Sequence, residues 1–184
     1  MDDFLIIDNK KFQSRLLTGT GRHKNINQLI RSIENSETEI ITVAIRRLNL
    51  DAKKEENILE IIKSKKLTIL PNTAGCPTSK EAIFTAELAR ELTETDWIKL
   101  EVIPDSKYLL PDPIGTLEAA KELVKKGFKV LPYISADPVL ALELEKIGCV
   151  TVMPLGSPIG SGQGIHTMES IKIIIEQSKV PVIV

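Results

Sequence analysis

The centre of the chain has the sequence Trp97-Ile-Lys-Leu-Glu-Val-Ile103, then Leu117-Glu-Ala-Ala-Lys-Glu-Leu-Val-Lys125, then Phe128-Lys-Val-Leu-Pro-Tyr133. The first and third stretches are short and rich in valine, isoleucine and leucine, which is typical of strands buried on both faces of a sheet. The middle stretch repeats its apolar residues at helical spacing, and Gly127 behind Lys125-Lys126 is a helix stop. The order strand, helix, strand predicts a βαβ unit with parallel strands.

The same unit repeats along the chain. Successive core strands begin roughly 22 to 31 residues apart, which is the size of a βαβ unit. Seven runs are predicted as core strands, at residues 15–18, 39–45, 67–70, 97–103, 128–133, 150–153 and 180–184. We expect an α/β fold of the (β/α)8 TIM-barrel type rather than an open doubly wound sheet, because the units are nearly uniform and no GxGxxG fingerprint follows the first strand.

The chain is predicted to be a single barrel domain, residues 1–184, that is incomplete at its C-terminus. A barrel needs eight strands, and this sequence ends at Val184 within the seventh. We therefore expect a barrel truncated after strand seven, which about 50 to 80 further residues would complete. Ahead of the first core strand, residues 4–7 and the following Asp8-Asn9 predict a short strand and turn that act as a plug or cap.

Composition and charge exclude several classes of protein. The net charge of −1 and the pI of about 6.2 provide no global field for nucleic acid or for an anionic membrane surface. The densest basic cluster is Lys53-Lys54 with Lys63, Lys65 and Lys66, which we interpret as a solvated helix face because acidic residues interrupt it. No window reaches the roughly 18 apolar residues of a membrane helix.

The cysteines and the N-terminus bear on the compartment. Cys76 and Cys149 lie far apart and fit neither a metal site nor a disulfide framework, so we expect small, partly buried apolar side chains, no metal and a reducing compartment. Residues 1–4 carry two acids and lack the basic and apolar segments of a secretory signal. We expect the bacterial cytoplasm or, for a plastid-encoded chain, the plastid (chloroplast) stroma.

Two charged residues interrupt the fourth core strand. Lys99 and Glu101 alternate with Ile98, Leu100 and Val102, so the two charges share one face and the three apolar residues share the other. Burial in a barrel would favour the neutral amine, which attacks carbonyl groups, and Glu101 would then move protons on an imine. A buried lysine–glutamate pair that only fills the barrel interior explains the pattern equally well.

Three further segments follow predicted strands, where barrel active sites lie. The small, polar stretch Pro71-Asn-Thr-Ala-Gly75 brings backbone near a ligand or forms a plain turn. The glycine- and serine-rich stretch Gly156-Ser-Pro-Ile-Gly-Ser-Gly-Gln-Gly164 is either an anion cradle or a flexible loop. Arg46-Arg47 either meets an anionic ligand or, as we favour, pairs with acids at the barrel mouth.

Six motifs in register resemble the bacterial and plastid thiazole synthases of thiamine biosynthesis. They are Ser14-Arg-Leu-Leu-Thr-Gly-Thr-Gly21, Val43-Ala-Ile-Arg-Arg47, Leu70-Pro-Asn-Thr-Ala-Gly75, Ile98-Lys-Leu-Glu-Val-Ile103, Leu109-Leu-Pro-Asp-Pro113 and Ser157-Pro-Ile-Gly-Ser-Gly-Gln-Gly164. The resemblance covers the whole chain. It implies a (β/α)8 barrel, a homotetramer and a sulfur-incorporating transferase without a metal or an organic cofactor.

The resemblance also implies a reaction and residue roles. The family condenses 1-deoxy-D-xylulose 5-phosphate, dehydroglycine and sulfur from the thiocarboxylate of a small ubiquitin-like carrier protein, forming the thiazole phosphate of thiamine. Lys99 matches the family's lysine that forms a Schiff base with the sugar ketone. Glu101 matches its acid–base glutamate, and Gly160 matches a glycine that contacts the sugar phosphate.

The departure from the family pattern lies at the C-terminus. The family continues beyond the position of Val184 with a second acid–base aspartate and further phosphate contacts, so a chain that ends here is expected to turn over little substrate. Two alternatives therefore stay open. One is an inactive, truncated subunit that binds the carrier protein or full-length copies, and the other is an aldolase-like Schiff-base enzyme acting on another phosphosugar.

Overall fold

The structure, a computed structural model, describes residues 3–48 and 57–184. Residues 1–2 and 49–56 lie outside these ranges, and with them Lys53 and Lys54 of the basic cluster. Within the described ranges the chain contains eight strands and six α-helices. None of these helices is long and apolar enough to cross a membrane.

A β-hairpin precedes the main sheet. Strand β1 (Leu5–Ile7) pairs antiparallel with β2 (Lys10–Phe12), and Asp8 and Asn9 form the turn between them. Both turn residues have positive φ, 45° and 64°, a conformation that aspartate and asparagine tolerate and that two-residue hairpin turns favour. The predicted short strand and turn are thus part of a hairpin.

The remaining strands form one parallel sheet in sequential order. Its strands are β3 (Leu17–Gly19), β4 (Ile40–Ala44), β5 (Thr68–Asn72), β6 (Trp97–Leu100), β7 (Lys129–Ile134) and β8 (Met153–Pro154). Val182 makes a single parallel bridge to Val152, so the predicted seventh core strand lies beside β8. The α/β class and the parallel pairing predicted from the sequence are therefore confirmed.

Helices connect the parallel strands, as the periodicity predicts. They are α1 (Ile26–Ser36), α2 (Ile58–Ser64), α3 (Ser79–Thr93), α4 (Pro113–Lys125), α5 (Pro138–Ile147) and α6 (Met168–Gln177). Asp137 caps α5 by accepting hydrogen bonds from the backbone N–H groups of Val139 and Leu140, and Gly148 ends the helix at φ 107°. An aspartate directly before a proline and a glycine behind a basic last turn are sequence signals for these two helix ends.

Three apolar clusters show how the sheet curls. On the outer face, one cluster packs β4 and β5 against α1 and α2, and another packs β6 and β7 against α3 to α6. On the inner face, every parallel strand contributes one side chain to a single cluster, which also contains Ile7 and Phe12 of the hairpin. Side chains from both edges of a flat sheet could not meet in this way. The sheet is therefore part of a barrel wall, and the hairpin fills the end where the strands begin.

Candidate active site

Lys99 and Glu101 meet on the inner face of the sheet. Trp97, two residues before Lys99, belongs to the inner cluster, whereas Ile98, Leu100 and Val102 belong to the helix-facing cluster. The alternation predicted from the sequence is therefore present. The Nζ atom of Lys99 lies 3.2 Å from Oε1 of Glu101, and the two side chains retain 24% and 11% of their exposure. An amine and a proton acceptor thus stand in contact, mostly shielded from water.

Thr73 holds Glu101 in place. Strand β6 ends at Leu100, earlier than the predicted end at Ile103, so the backbone of Glu101 lies beyond the regular ladder. The Thr73 hydroxyl replaces the ladder: it accepts from the Glu101 N–H at 2.8 Å and donates to the Glu101 carbonyl at 2.7 Å. Both residues are buried, so these bonds hold the backbone from which the Glu101 side chain extends to Lys99.

Tyr133 borders the pair from the next strand. Its ring centroid lies 5.7 Å from Nζ of Lys99, and its hydroxyl donates to the carbonyl of Leu109 at 3.4 Å. Burial, followed by the negative charge of Glu101, raises the pKa of the Tyr133 phenol above its ordinary value of 10.0. The phenol is therefore protonated at neutral pH. Sequence reasoning missed Tyr133, although it stands at the end of a predicted strand, where active-site residues collect.

Asn72 faces Lys99 from the other side. It is the last residue of β5, and its register partner in β6 is Lys99. The residue is 8% exposed, and its Oδ1 accepts from the backbone N–H of Ala74 at 3.2 Å. The sequence indicated only that this loop is small and polar, because neither pattern nor spacing shows which strand will lie beside Lys99.

The glycine-rich loop follows β8, two strands away from Lys99. Gly160, Gly162 and Gly164 all have positive φ, between 66° and 80°, and lie in an exposed stretch of chain. The loop closes on itself, since the Ser161 N–H donates to the Pro158 carbonyl and the His166 N–H to the Gly156 carbonyl. Gly160 therefore occupies the strand-end side of the sheet, and no hydrogen bond among the described residues joins it to Lys99 or Glu101.

Arg46 pairs with an acid, as favoured from the sequence. Its guanidinium lies 3.4 Å from Oε2 of Glu81 in the first turn of α3 and donates to the Gly75 carbonyl at 2.5 Å. The contact ties the loop after β5 to the helix that follows. In the ranges 3–48 and 57–184, no group of three or more His, Cys, Asp or Glu side chains is arranged to hold a metal ion.

Sequence comparisons place this chain in one family. The model of the family "Thiazole biosynthesis protein ThiG" matches residues 6–184. The thiazole synthase of Prochlorococcus marinus strain MIT 9301 is 60% identical over 186 aligned positions, covering 98% of this chain and 70% of the relative. The thiazole synthase of Synechococcus sp. strain ATCC 27144 is 55% identical, covering 99% of this chain and 68% of the relative.

Solved structures agree on the fold. The BexX/CysO complex of Amycolatopsis orientalis contains a chain with a TM-score of 0.83 and 27% identity, matched over 97% of this chain and 72% of its own length. The YdjI aldolase of Escherichia coli K12 has a TM-score of 0.55 at 15% identity, over 90% of this chain and 63% of the aldolase, which shows a shared fold alone.

Proposed function

Because the chain belongs to the ThiG family of thiazole biosynthesis proteins, we propose that Lys99 is the Schiff-base lysine of a thiazole synthase and that Glu101 moves protons at the same centre. The contact of 3.2 Å between the amine and the carboxylate on the inner face of the sheet carries this proposal. Burying a lysine–glutamate pair costs desolvation free energy, which a purely structural role does not explain. A paired amine in a site shielded from water suits attack on a ketone.

The chemistry of the first step balances with these two groups. The Glu101 carboxylate takes one proton from the Lys99 ammonium, and the neutral amine adds to the ketone carbon of 1-deoxy-D-xylulose 5-phosphate. Glu101 then returns its proton to the former ketone oxygen. The same oxygen takes up a second proton from the amine and leaves as water. The ammonium and the ketone thus become an iminium ion and water, and the carboxylate is regenerated.

The remaining substrates and the phosphate site are part of the same proposal. Dehydroglycine and sulfur from a thiocarboxylated carrier protein would complete the thiazole phosphate. Gly160 would hold the sugar phosphate, and the positive φ of Gly160, Gly162 and Gly164 supports this role because such backbone exposes N–H groups to an anion. The similar structure is that of a BexX/CysO complex, which supports a protein partner here.

The assembly and the compartment follow the same family reasoning. We propose a homotetramer that works in the bacterial cytoplasm or the plastid stroma, and the cyanobacterial origin of the similar thiazole synthases supports this setting. The relatives at 55–60% identity are thiazole synthases. They do not favour the aldolase-like alternative or the inactive-subunit alternative, and the aldolase structure shares only the fold.

Borohydride trapping tests the role of Lys99. Incubation with 1-deoxy-D-xylulose 5-phosphate and borohydride should add the mass of one reduced sugar phosphate to the chain, and peptide mapping should place it on Lys99. Lys99→Arg retains a cation beside Glu101 but forms no imine, so it should give no adduct. Lys121→Arg, on the exposed side of α4, should behave as the unchanged protein. An adduct on another lysine, or none, contradicts the assignment.

Glu101→Gln tests the second role. The amide retains the size of the side chain but cannot take a proton, so adduct formation should slow by about 10²- to 10⁴-fold while Lys99 remains the labelled residue. Thiazole phosphate formation, measured with dehydroglycine and a thiocarboxylated carrier protein, should fall in parallel. An unchanged rate of adduct formation would assign Glu101 to packing.

A further inference from the structure

Asn72 is the register partner of Lys99, and its side-chain N–H donors have no acceptor in the described ranges 3–48 and 57–184. We propose that the side-chain amide of Asn72 donates to a substrate hydroxyl on the carbon next to the ketone that Lys99 attacks, so that the site selects α-hydroxy ketones over simple ketones. This inference rests on the proposed Schiff base at Lys99 and adds to it the residue that recognises the neighbouring hydroxyl.

The placement of Asn72 follows from strand register. Leu70 of β5 and Trp97 of β6 both belong to the inner cluster, so Asn72 and Lys99, two residues further along, also face the inside of the sheet. The two residues are direct register partners, and neighbouring strands lie about 4.8 Å apart. The register partner of Asn72 on its other side is Ala44 of β4, whose methyl group leaves space beside the amide.

The orientation of the amide is fixed by its acceptor. Oδ1 accepts from the Ala74 N–H, so the two N–H donors of Nδ2 point elsewhere, and they have no hydrogen-bond partner among the described residues. Asn72 as a residue is 8% exposed, and its Nδ2 atom retains some contact with solvent, so the two donors are open to a ligand. The carbonyl oxygen of the amide therefore stabilises the loop, and the amino group is left to donate to a substrate.

A side-chain amide is chemically suited to positioning a substrate hydroxyl. Lys99 and Glu101 exchange protons during the reaction, and a third titratable group beside them would compete for those protons. A carboxamide neither gains nor loses a proton at neutral pH, so it holds an oxygen in place without taking part. Asn72 and Lys99 are register partners on the same face, so a ketone attacked by Nζ can turn its neighbouring carbon towards the Asn72 amide. In an α-hydroxy ketone that carbon carries the hydroxyl.

Two ketones and two variants test the proposal together. The probes are 1-deoxy-D-xylulose 5-phosphate and its 3-deoxy analogue, which retains the ketone and the phosphate but lacks the neighbouring hydroxyl. The rate of borohydride-trapped adduct on Lys99 is measured with both probes in the unchanged chain, in Asn72→Ala and in Asn72→Asp. Asn72→Asp retains the acceptor for the Ala74 N–H and removes the donors, so it separates the loop contact from the substrate contact.

The ratio of the two rates is the decisive quantity. We expect the unchanged chain to trap the hydroxylated ketone about 3- to 10-fold faster, which is the effect of one hydrogen bond, and both variants to bring the ratio close to one. A purely structural role, or the added charge of the aspartate, changes both rates together and leaves the ratio as it was. That result, or equal rates in the unchanged chain, overturns the inference while the Schiff base stands. No adduct with either ketone overturns the proposed function and this inference with it.

Discussion

At the residue scale, a side-chain hydroxyl makes the hydrogen bonds that a neighbouring strand would otherwise make. The Thr73 hydroxyl both accepts from and donates to the Glu101 backbone at a point where the β6 ladder has ended. Thr151 is buried to the same extent, but its hydroxyl has no hydrogen-bond partner in the part of the chain that the structure describes. Replacing each of the two threonines by valine should therefore have different effects on the free energy of unfolding.

Thr73→Val should destabilise the fold and disturb the site. Valine fills the same space but leaves a buried N–H and a buried C=O of Glu101 unpaired, which costs about 1–3 kcal/mol of the free energy of unfolding. Thr151→Val should change that free energy by less than about 0.5 kcal/mol or raise it, because no bond is lost. Urea unfolding measures both, and equal losses in the two variants would contradict this account.

At the element scale, the hairpin acts as the floor of the barrel. Phe12 contacts Trp97 edge to face, with ring centroids 6.0 Å apart and an interplanar angle of 70°, and Nζ of Lys10 lies 5.0 Å from the centroid of the Trp97 ring. Asp8 in the hairpin turn forms an ion pair of 2.9 Å with Lys129 at the start of β7. The element that precedes the sheet in sequence thus closes the end of the sheet opposite to Lys99 and Glu101.

Phe12→Ala should lower the free energy of unfolding by about 3–5 kcal/mol, because a buried aromatic ring is replaced by a cavity. Trp97 is the single tryptophan of the chain, so its fluorescence reports directly on the contact that is lost. Phe4→Ala is the matched control, since Phe4 is only half-buried and contacts Lys11 rather than the inner cluster. Similar losses for the two variants would show that the hairpin does not fill the barrel end.

At the scale of the whole molecule, stability in alkali depends on buried weak acids. Burial raises the pKa of the Cys149 thiol from 9.0 to about 12, so the folded chain keeps a proton that the unfolded chain releases. The free energy of unfolding should therefore fall as the pH rises from about 9 to about 12, by up to about 1.4 kcal/mol per pH unit from this group. The raised pKa of Tyr133 adds a loss of the same sign above its ordinary value of 10.0.

Cys149→Ala removes the thiol contribution and should flatten this pH dependence. The comparison uses the slope of the free energy of unfolding against pH, because the smaller side chain also changes the stability at every pH. Guanidinium unfolding at several pH values between 7 and about 11 provides the slopes. Parallel lines for the two proteins would mean that the thiol ionises in the folded state as easily as in the unfolded state.

Local pattern determined much of this protein. Apolar runs at βαβ spacing, the aspartate cap at Asp137 and the stop at Gly148 depend on neighbouring residues, so the sequence alone predicted the parallel α/β fold. Alternation along a single strand likewise placed Lys99 and Glu101 on one face, away from Ile98 and Leu100. The resemblance of the motifs to thiazole synthases, which the family comparison confirms, needed no coordinates either.

Tertiary structure decided everything that depends on two strands at once. The sequence could not show that β5 would place Asn72 in register with Lys99, that the Thr73 hydroxyl would hold the backbone of Glu101, or that Tyr133 would border the amine. Register between strands is set by packing of the whole curled sheet on its helices and on the hairpin, and no short stretch of chain contains that information. The lysine–glutamate pair was therefore visible in one strand, whereas its surroundings required the fold.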